Sequence, residues 1–170
     1  MAKSDSFFIR ASVTTQNDST YDEEPIDLGA YVDALGKSVL RIHNIAISVT
    51  DSTGTSATVG AEKSAAAQFQ LCTQTQLDTV LPTNKSIVAS GMLNAYNHTG
   101  GTDVASIVSE SFDNLPQLWT NGYLIAVDTM YIGAEASPGF AEDVTISAVM
   151  ECTVESMSQA AARSLALSQQ

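Results

Sequence analysis

Two histidines, His43 and His98, and two cysteines, Cys72 and Cys152, are the residues best suited to nucleophilic, acid–base or transition-metal chemistry. Their spacing supports none of these. A transition-metal site gathers three or four such ligands within a few ångströms. The chain has no HxH, HExxH or CxxC pattern. His43 stands in an alternating apolar run and reads as a partly buried structural residue. His98 belongs to the loop Asn97-His98-Thr99-Gly100-Gly101. A serine nucleophile needs a base and an orienting acid, and no GxSxG elbow is present. Ser90-Gly91 and Ser137-Pro138-Gly139 read as strand and turn. The acid pairs in Asp22-Glu23-Glu24 and Glu142-Asp143 do not suit glycosidase work, because neighbouring side chains on an extended segment point apart. The acidic loops around Asp22 or Asp51 leave a calcium site open as an alternative, although no DxDxDG loop exists. Cys72 and Cys152 each sit in an apolar strand-like run and read as buried free thiols. Asp128, mid-run among apolar residues, reads as facing solvent or a subunit contact, since unpaired burial of a charge is costly. The expectation is a chain with no catalytic, cofactor-binding or metal-ligating residues, which is not an enzyme and folds without metal.

Charge narrows the partners. Seven basic residues stand against 19 acidic ones, for a formal net charge of −12. The basic residues are Lys3, Arg10, Lys37, Arg41, Lys63, Lys85 and Arg163, all scattered. Nucleic acid is bound through clustered cations that displace counterions, so direct genome binding is not expected. Attachment to an anionic membrane is disfavoured for the same reason. Charged residues make up only 15% of the chain and hydrophobic ones 44%. Much of the surface must then be neutral, as in surfaces buried by assembly. The start of the sequence turns polar without a long apolar stretch, so synthesis and folding in the cytoplasm are expected. The triplets at Asn17, Asn84 and Asn97 read as loop composition.

The elements that would position these residues show a period of two. Alternation predicts strands near residues 6–15, 38–50, 65–75, 86–94, 122–133 and 143–156. A shorter extended piece, Pro25 to Val32, starts at an edge because proline lacks the ladder donor. Gln16–Glu24 reads as an acidic loop, Asp33–Lys37 as a turn with Gly36, and Asp51–Ser56 as loop. The state of Ala57–Ala66 is left open. In Asp103–Phe112, Val104, Ile107 and Val108 have helical spacing behind a Thr102 or Asp103 cap, which predicts a short helix. The Ala-rich tail, 157–168, favours helix as well. In the run 38–50, Val39, Arg41, His43, Ile45, Ile47 and Val49 fall on one face. Both faces of the run 122–133 are apolar: Ile125, Val127 and Tyr131 oppose Leu124, Met130 and Ile132. One face must meet something other than the core, and the tail, a loop or another subunit could cover it. Seven or eight strands without βαβ alternation predict an all-β chain: an antiparallel β-sandwich, single jelly roll, with one or two short helices, as one domain over 1–170.

Three stretches carry a likeness: Ser6 to Thr15; Glu24-Pro25-Ile26-Asp27-Leu28-Gly29-Ala30-Tyr31; and Val39-Leu40-Arg41-Ile42-His43-Asn44-Ile45-Ala46-Ile47. The late strands Tyr123 to Ile132 and Val144 to Val154 complete it. Taken together, the chain resembles the small single-jelly-roll major capsid proteins of tailless icosahedral viruses with an internal membrane, known from haloarchaea and thermophilic bacteria. The resemblance is one of strand order and length over most of the chain. It implies a virion structural protein whose barrels stand upright in pseudo-hexagonal capsomers of one or two protein types. It also implies a lipid layer between shell and genome, and no active site. Other self-assembling subunits (filament, tail-tube or surface-layer) remain the alternative. So does a ligand-binding jelly-roll module, although aromatics are only 6% with a single Trp119.

Overall fold

The computed structural model describes residues 4–33, 37–104 and 107–170. Among the described residues, nine strands run in chain order: β1 (Phe7–Thr15), β2 (Tyr21–Asp27), β3 (Ser38–Thr50), β4 (Ser64–Cys72), β5 (Ile87–Tyr96), β6 (Ile107–Asn114), β7 (Tyr123–Ile125), β8 (Thr129–Ala136) and β9 (Val144–Ser156). The 3-10 turn Pro116–Leu118 and the helix α1 (Gln159–Ser168) accompany them. Two antiparallel sheets form, with strand orders β1-β9-β3-β7 and β2-β8-β4-β5-β6.

The pairing has a simple logic. β1 pairs with β9, β2 with β8, β3 with β7 and β4 with β5, all antiparallel. With β6 set aside, the first half of the chain lies alongside the second half, and this long double ribbon is rolled into two layers. That is the jelly roll. β6 adds an outer strand to the larger sheet by pairing with β5.

Alternation places the core between the layers. In β1, Phe7, Ile9, Ala11 and Val13 turn inward, while Phe8, Arg10, Ser12 and Thr14 face out. In β9, Val144, Ile146, Ala148, Met150 and Cys152 form the buried row. Leu40 and Ile42 of β3, Phe69 and Leu71 of β4, and Met130 and Ile132 of β8 meet them.

Several expectations are corrected. The run 38–50 forms one strand, but its register shifts between Ile42 and Asn44. His43 is the extra residue of a β-bulge, which reverses the phase of the residues after it. Leu40 and Ile42 before it, and Ile45, Ile47 and Val49 after it, therefore share the core face, while Val39 and Arg41 do not. The run 122–133 is two strands in different sheets, β7 and β8, separated by Ala126, Val127 and Asp128. Its two apolar faces arise because the chain crosses from one layer to the other. Asp128 is exposed in that crossing, as expected.

The helix expected over Asp103–Phe112 is not formed. Ala105 and Ser106 lie outside the described residues, and Ile107 onward is strand β6. Val104 exchanges backbone hydrogen bonds with Val59, at 3.1 and 3.4 Å. The free ladder groups of β5 then draw the following residues into the sheet, a tertiary gain that outweighs helical spacing. Strand β2 begins at Tyr21, so Tyr21–Glu24 is strand rather than loop, and Pro25 sits within it. Leu28 to Val32 is a turn closed on the Leu28 carbonyl. β2 is nevertheless an edge strand, as the proline predicts. The turn expected at Asp33–Lys37 centres on Ala34, Leu35 and Gly36, which lie outside the described residues.

The tail forms a helix close to its expected bounds. Ser158 caps it by accepting a hydrogen bond from the Ala161 amide. Ala162, with Leu165, Ala166 and Met157, packs on Val39, Leu124 and Ala126, on the outer side of the smaller sheet. The covering of β7 thus comes from within the chain.

Candidate functional site

The side chains that could do chemistry are dispersed by the fold and occupied structurally. His43, at the bulge, shares a 2.9 Å hydrogen bond between its Nε2 and Thr153 Oγ1. His98 packs edge-on to Tyr96, with ring centroids 3.9 Å apart. Cys72 lies in β4 of one sheet and Cys152 in β9 of the other, and both are buried free thiols. Burial pushes each thiol up to about 12 from its ordinary 9.0, with Glu23 adding to the effect at Cys72 and Glu151 at Cys152. Such thiols stay protonated and unreactive. The native protein is expected to leave both unlabelled by a thiol reagent at pH 8 and to label both in denaturant. The unfolded thiols release their protons first, so their contribution to stability is intact below pH 9 and is lost as pH rises toward 12. A denaturation series across that interval checks the sign.

The carboxylates hold loops. Asp51 accepts hydrogen bonds from the amides of Thr53 and Thr55 and from both hydroxyls. The Thr55 and Thr53 hydroxyls, followed by those amides, hold it at about 2, well below the usual carboxylate range. Its oxygens are therefore committed to the loop. Asp22 accepts a long bond from the Gln16 amide. Glu23 accepts from Tyr21, from Thr75 at 2.6 Å and from the Gln76 amide at 2.9 Å. Glu142 accepts from the amide and hydroxyl of Thr58. Among the described residues no group of three or more His, Cys, Asp and Glu could hold a metal ion. No described helix is long and apolar enough to cross a membrane.

Polar side chains do their most consequential work at the margins of the sheets. The segment between β4 and β5 folds over the outer face of the larger sheet. Gln70 anchors it: its Nε2 donates to Tyr21 Oη at 2.9 Å and to the Asp78 carbonyl at 3.1 Å, and its Oε1 accepts from the Val80 amide at 2.9 Å. Burial raises the Tyr21 hydroxyl far above its ordinary value. Gly133 makes room for that ring, since a Cβ there would lie 1.8 Å from Tyr21 Oη. On the outer side of the smaller sheet, Arg41 forms a two-pronged ion pair with Glu155, at 2.7 and 2.9 Å, and donates to the Asn121 carbonyl. Sequence reasoning did not find this pair, because it spans the chain and neither residue belongs to a motif.

The four sheet edges differ. β7 is only three residues long, and its outer backbone is satisfied by the buried Gln169 side chain, which accepts from the Ala126 amide and donates to the Leu124 carbonyl. Beyond β7, Gln117 does the same for β3 by bonding both backbone groups of Ile45, at 3.1 and 2.9 Å. β2 carries Pro25 and the acids Asp22, Glu23, Glu24 and Asp27. β6 carries Glu110 and Asp113 and is irregular where it meets β5. β1 is nine residues long and regular, with a single charge, Arg10.

No protein-family model and no curated protein matches this sequence. Solved structures match it at the level of the fold. The chain is similar to the VP1 protein of Trichodysplasia spinulosa-associated polyomavirus in complex with GM1 oligosaccharide. Identity there is 8%, over 89% of this chain and 96% of that one, with a TM-score of 0.51. VP1 of the same virus in complex with sialylated precision glycooligomers gives 9% identity, 88% and 95% coverage and a TM-score of 0.50. At such identities the likeness is one of fold, and it agrees with the jelly roll derived from the strand pairing.

Proposed function

We propose that this chain is a virion structural protein, a capsid subunit that assembles with copies of itself, or with a sister protein, into an icosahedral shell. The observation that carries the reading is the rolled double ribbon itself, shared over nearly the whole length of both chains with polyomavirus VP1, a viral capsid protein. The polar chemistry of the chain supports it. Histidines, thiols and carboxylates are spent on holding the fold, which suits a subunit whose work is contact rather than catalysis. Phe8, Leu77, Leu81, Trp119 and Leu167 are largely exposed and would be available to neighbouring subunits.

The rest of the proposal comes from the same role. Residues 1–170 act as one unit without catalytic, cofactor or metal residues, in the virion after synthesis in the host cytoplasm. The acidic surface keeps the subunit off the genome. Upright barrels, pseudo-hexagonal capsomers and an underlying lipid layer rest on the family resemblance in strand order and length.

Negative-stain imaging of the purified protein, alone and with the other structural proteins of its source, tests the reading. Closed shells or ring-shaped capsomers are the expected result. Filaments would replace the shell by another assembly. A monomer at high concentration across salt and pH, with any sister subunit supplied, would overturn the proposal.

A further inference from the structure

We propose that helix α1 is a releasable strap, latched onto the smaller sheet by Gln169, which opens about Ser158 while the sandwich stays folded. The device lies within the single chain and operates whatever the chain assembles into.

The hold on α1 is uneven. Its ten residues, Gln159–Ser168, make a helix too short to persist in water without a surface to dock on. Of these residues only Ala162 is buried, and Leu167 is 71% exposed. The residue that follows is held far more firmly. Gln169 is 3% exposed. Its side chain accepts from the Ala126 amide at 3.0 Å and donates to the Leu124 carbonyl at 2.6 Å. Its backbone carbonyl accepts from Thr73 Oγ1 at 2.6 Å, and Lys85 donates to the backbone oxygen of Gln170 beside it. The strap therefore leaves β9 of one sheet and is fastened next to the end of β4 in the other.

Release leaves the rest of the fold in place. The residues under α1, Val39, Leu124 and Ala126, belong to a small apolar cluster separate from the main core. The ladders that join β1, β9, β3 and β7 form without the helix. Opening gives up that small cluster and the bonds at the end of the strap, which is the profile of a local opening rather than of global unfolding. Its consequence lies at β7. Gln169 stands where a neighbouring strand would bond, so release turns the Leu124 carbonyl and the Ala126 amide into unpaired edge groups. Latched, the strap keeps that edge closed.

Native-state hydrogen exchange through a series of sub-denaturing urea concentrations tests the strap. The reference is residues 146–152 of β9, which is paired on both sides. In the wild type, the amides of residues 163–168 should be protected, yet at least about a hundredfold less than the reference, and with little dependence on urea. Gln169→Ala removes both side-chain bonds and should speed exchange of 163–168 about tenfold or more. Leu167→Ala, on the exposed side of the same helix, should leave it within about twofold. Equal protection and equal urea dependence in α1 and β9 would overturn the proposal, because the helix then leaves only when the sandwich unfolds. Exchange of 163–168 at the rate of an unstructured chain would overturn it too, since nothing is then held shut. If Gln169→Ala acts no more strongly than Leu167→Ala, Gln169 is not the latch and the proposal fails.

Discussion

Gly122→Ala is expected to lower stability by about 3 kcal/mol or more and the melting temperature by roughly 6–12 °C for a chain of this size. Two costs combine at this residue. Gly122 has φ of +62°, in the left-handed region, where a Cβ costs about 1–2 kcal/mol. A Cβ would also lie 2.2 Å from the Ile42 carbonyl oxygen and 3.3 Å from the His43 Cα. The atoms it meets are backbone, at the bulge where β3 changes phase, so they cannot swing aside. Gly54→Ala separates the two costs. Its φ is +86°, but nothing lies within 4 Å of the added methyl. It should show only the conformational cost, about 1–2 kcal/mol. Calorimetry on both variants checks the difference. Equal losses would mean that the approach to Ile42 relaxes freely.

Arg41→Met is expected to destabilise by about 3–5 kcal/mol, because it takes the two-pronged Arg41 ion pair away from the largely buried Glu155 carboxylate. The two side chains are 14% and 8% exposed, so water replaces little of what is lost. The Glu155 hydrogen bond raises the Arg41 pKa above its ordinary value, and the guanidinium stays charged at any pH at which the protein is handled. Glu155→Leu should cost a similar amount, since the arginine is then stranded. The double variant Arg41→Met/Glu155→Leu should return to within about 1–2 kcal/mol of wild type, because an apolar pair escapes the desolvation that the ion pair had to overcome. Denaturant unfolding of the three variants measures the coupling. Additive losses would show that each residue acts through separate contacts, such as the bond from Arg41 to the Asn121 carbonyl.

These two predictions fall where the sequence is least informative. Nothing near Gly122 marks it as different from the other glycines until Ile42 is seen against it. Arg41 and Glu155 are 114 residues apart and meet only because β3 and β9 pair. Gln117 and Gln169 are equally anonymous: a glutamine becomes an edge cap only when tertiary structure brings its amide beside an unpaired strand. The place of β1 in its sheet was legible only in part. The alternation of Phe7 through Thr14 shows a strand, but its position at an edge is a property of the sheet.

What the sequence determined by itself is local. A period of two, repeated with turn residues between, predicts strands near 6–15, 38–50, 65–75, 86–94 and 143–156, because each must bury one row of side chains, and strands form at Phe7–Thr15, Ser38–Thr50, Ser64–Cys72, Ile87–Tyr96 and Val144–Ser156. The Ala-rich tail forms its helix by propensity and a serine cap. The histidines and cysteines do not gather into a site: Cys72 and Cys152 lie in different sheets, His98 lies in the loop after β5, and His43, on the strand beside Cys152, is engaged by Thr153. Phase and layer, by contrast, follow from how the strands pair and pack. Alternation cannot reveal a residue inserted without breaking the strand, so the bulge at His43 inverted the reading of Ile45, Ile47 and Val49. An apolar run cannot show that it leaves one sheet and enters the other, which β7 and β8 do. Helical spacing in Val104, Ile107 and Val108 gave way to β6, because the open edge of β5 supplied hydrogen bonds that a short isolated helix could not match.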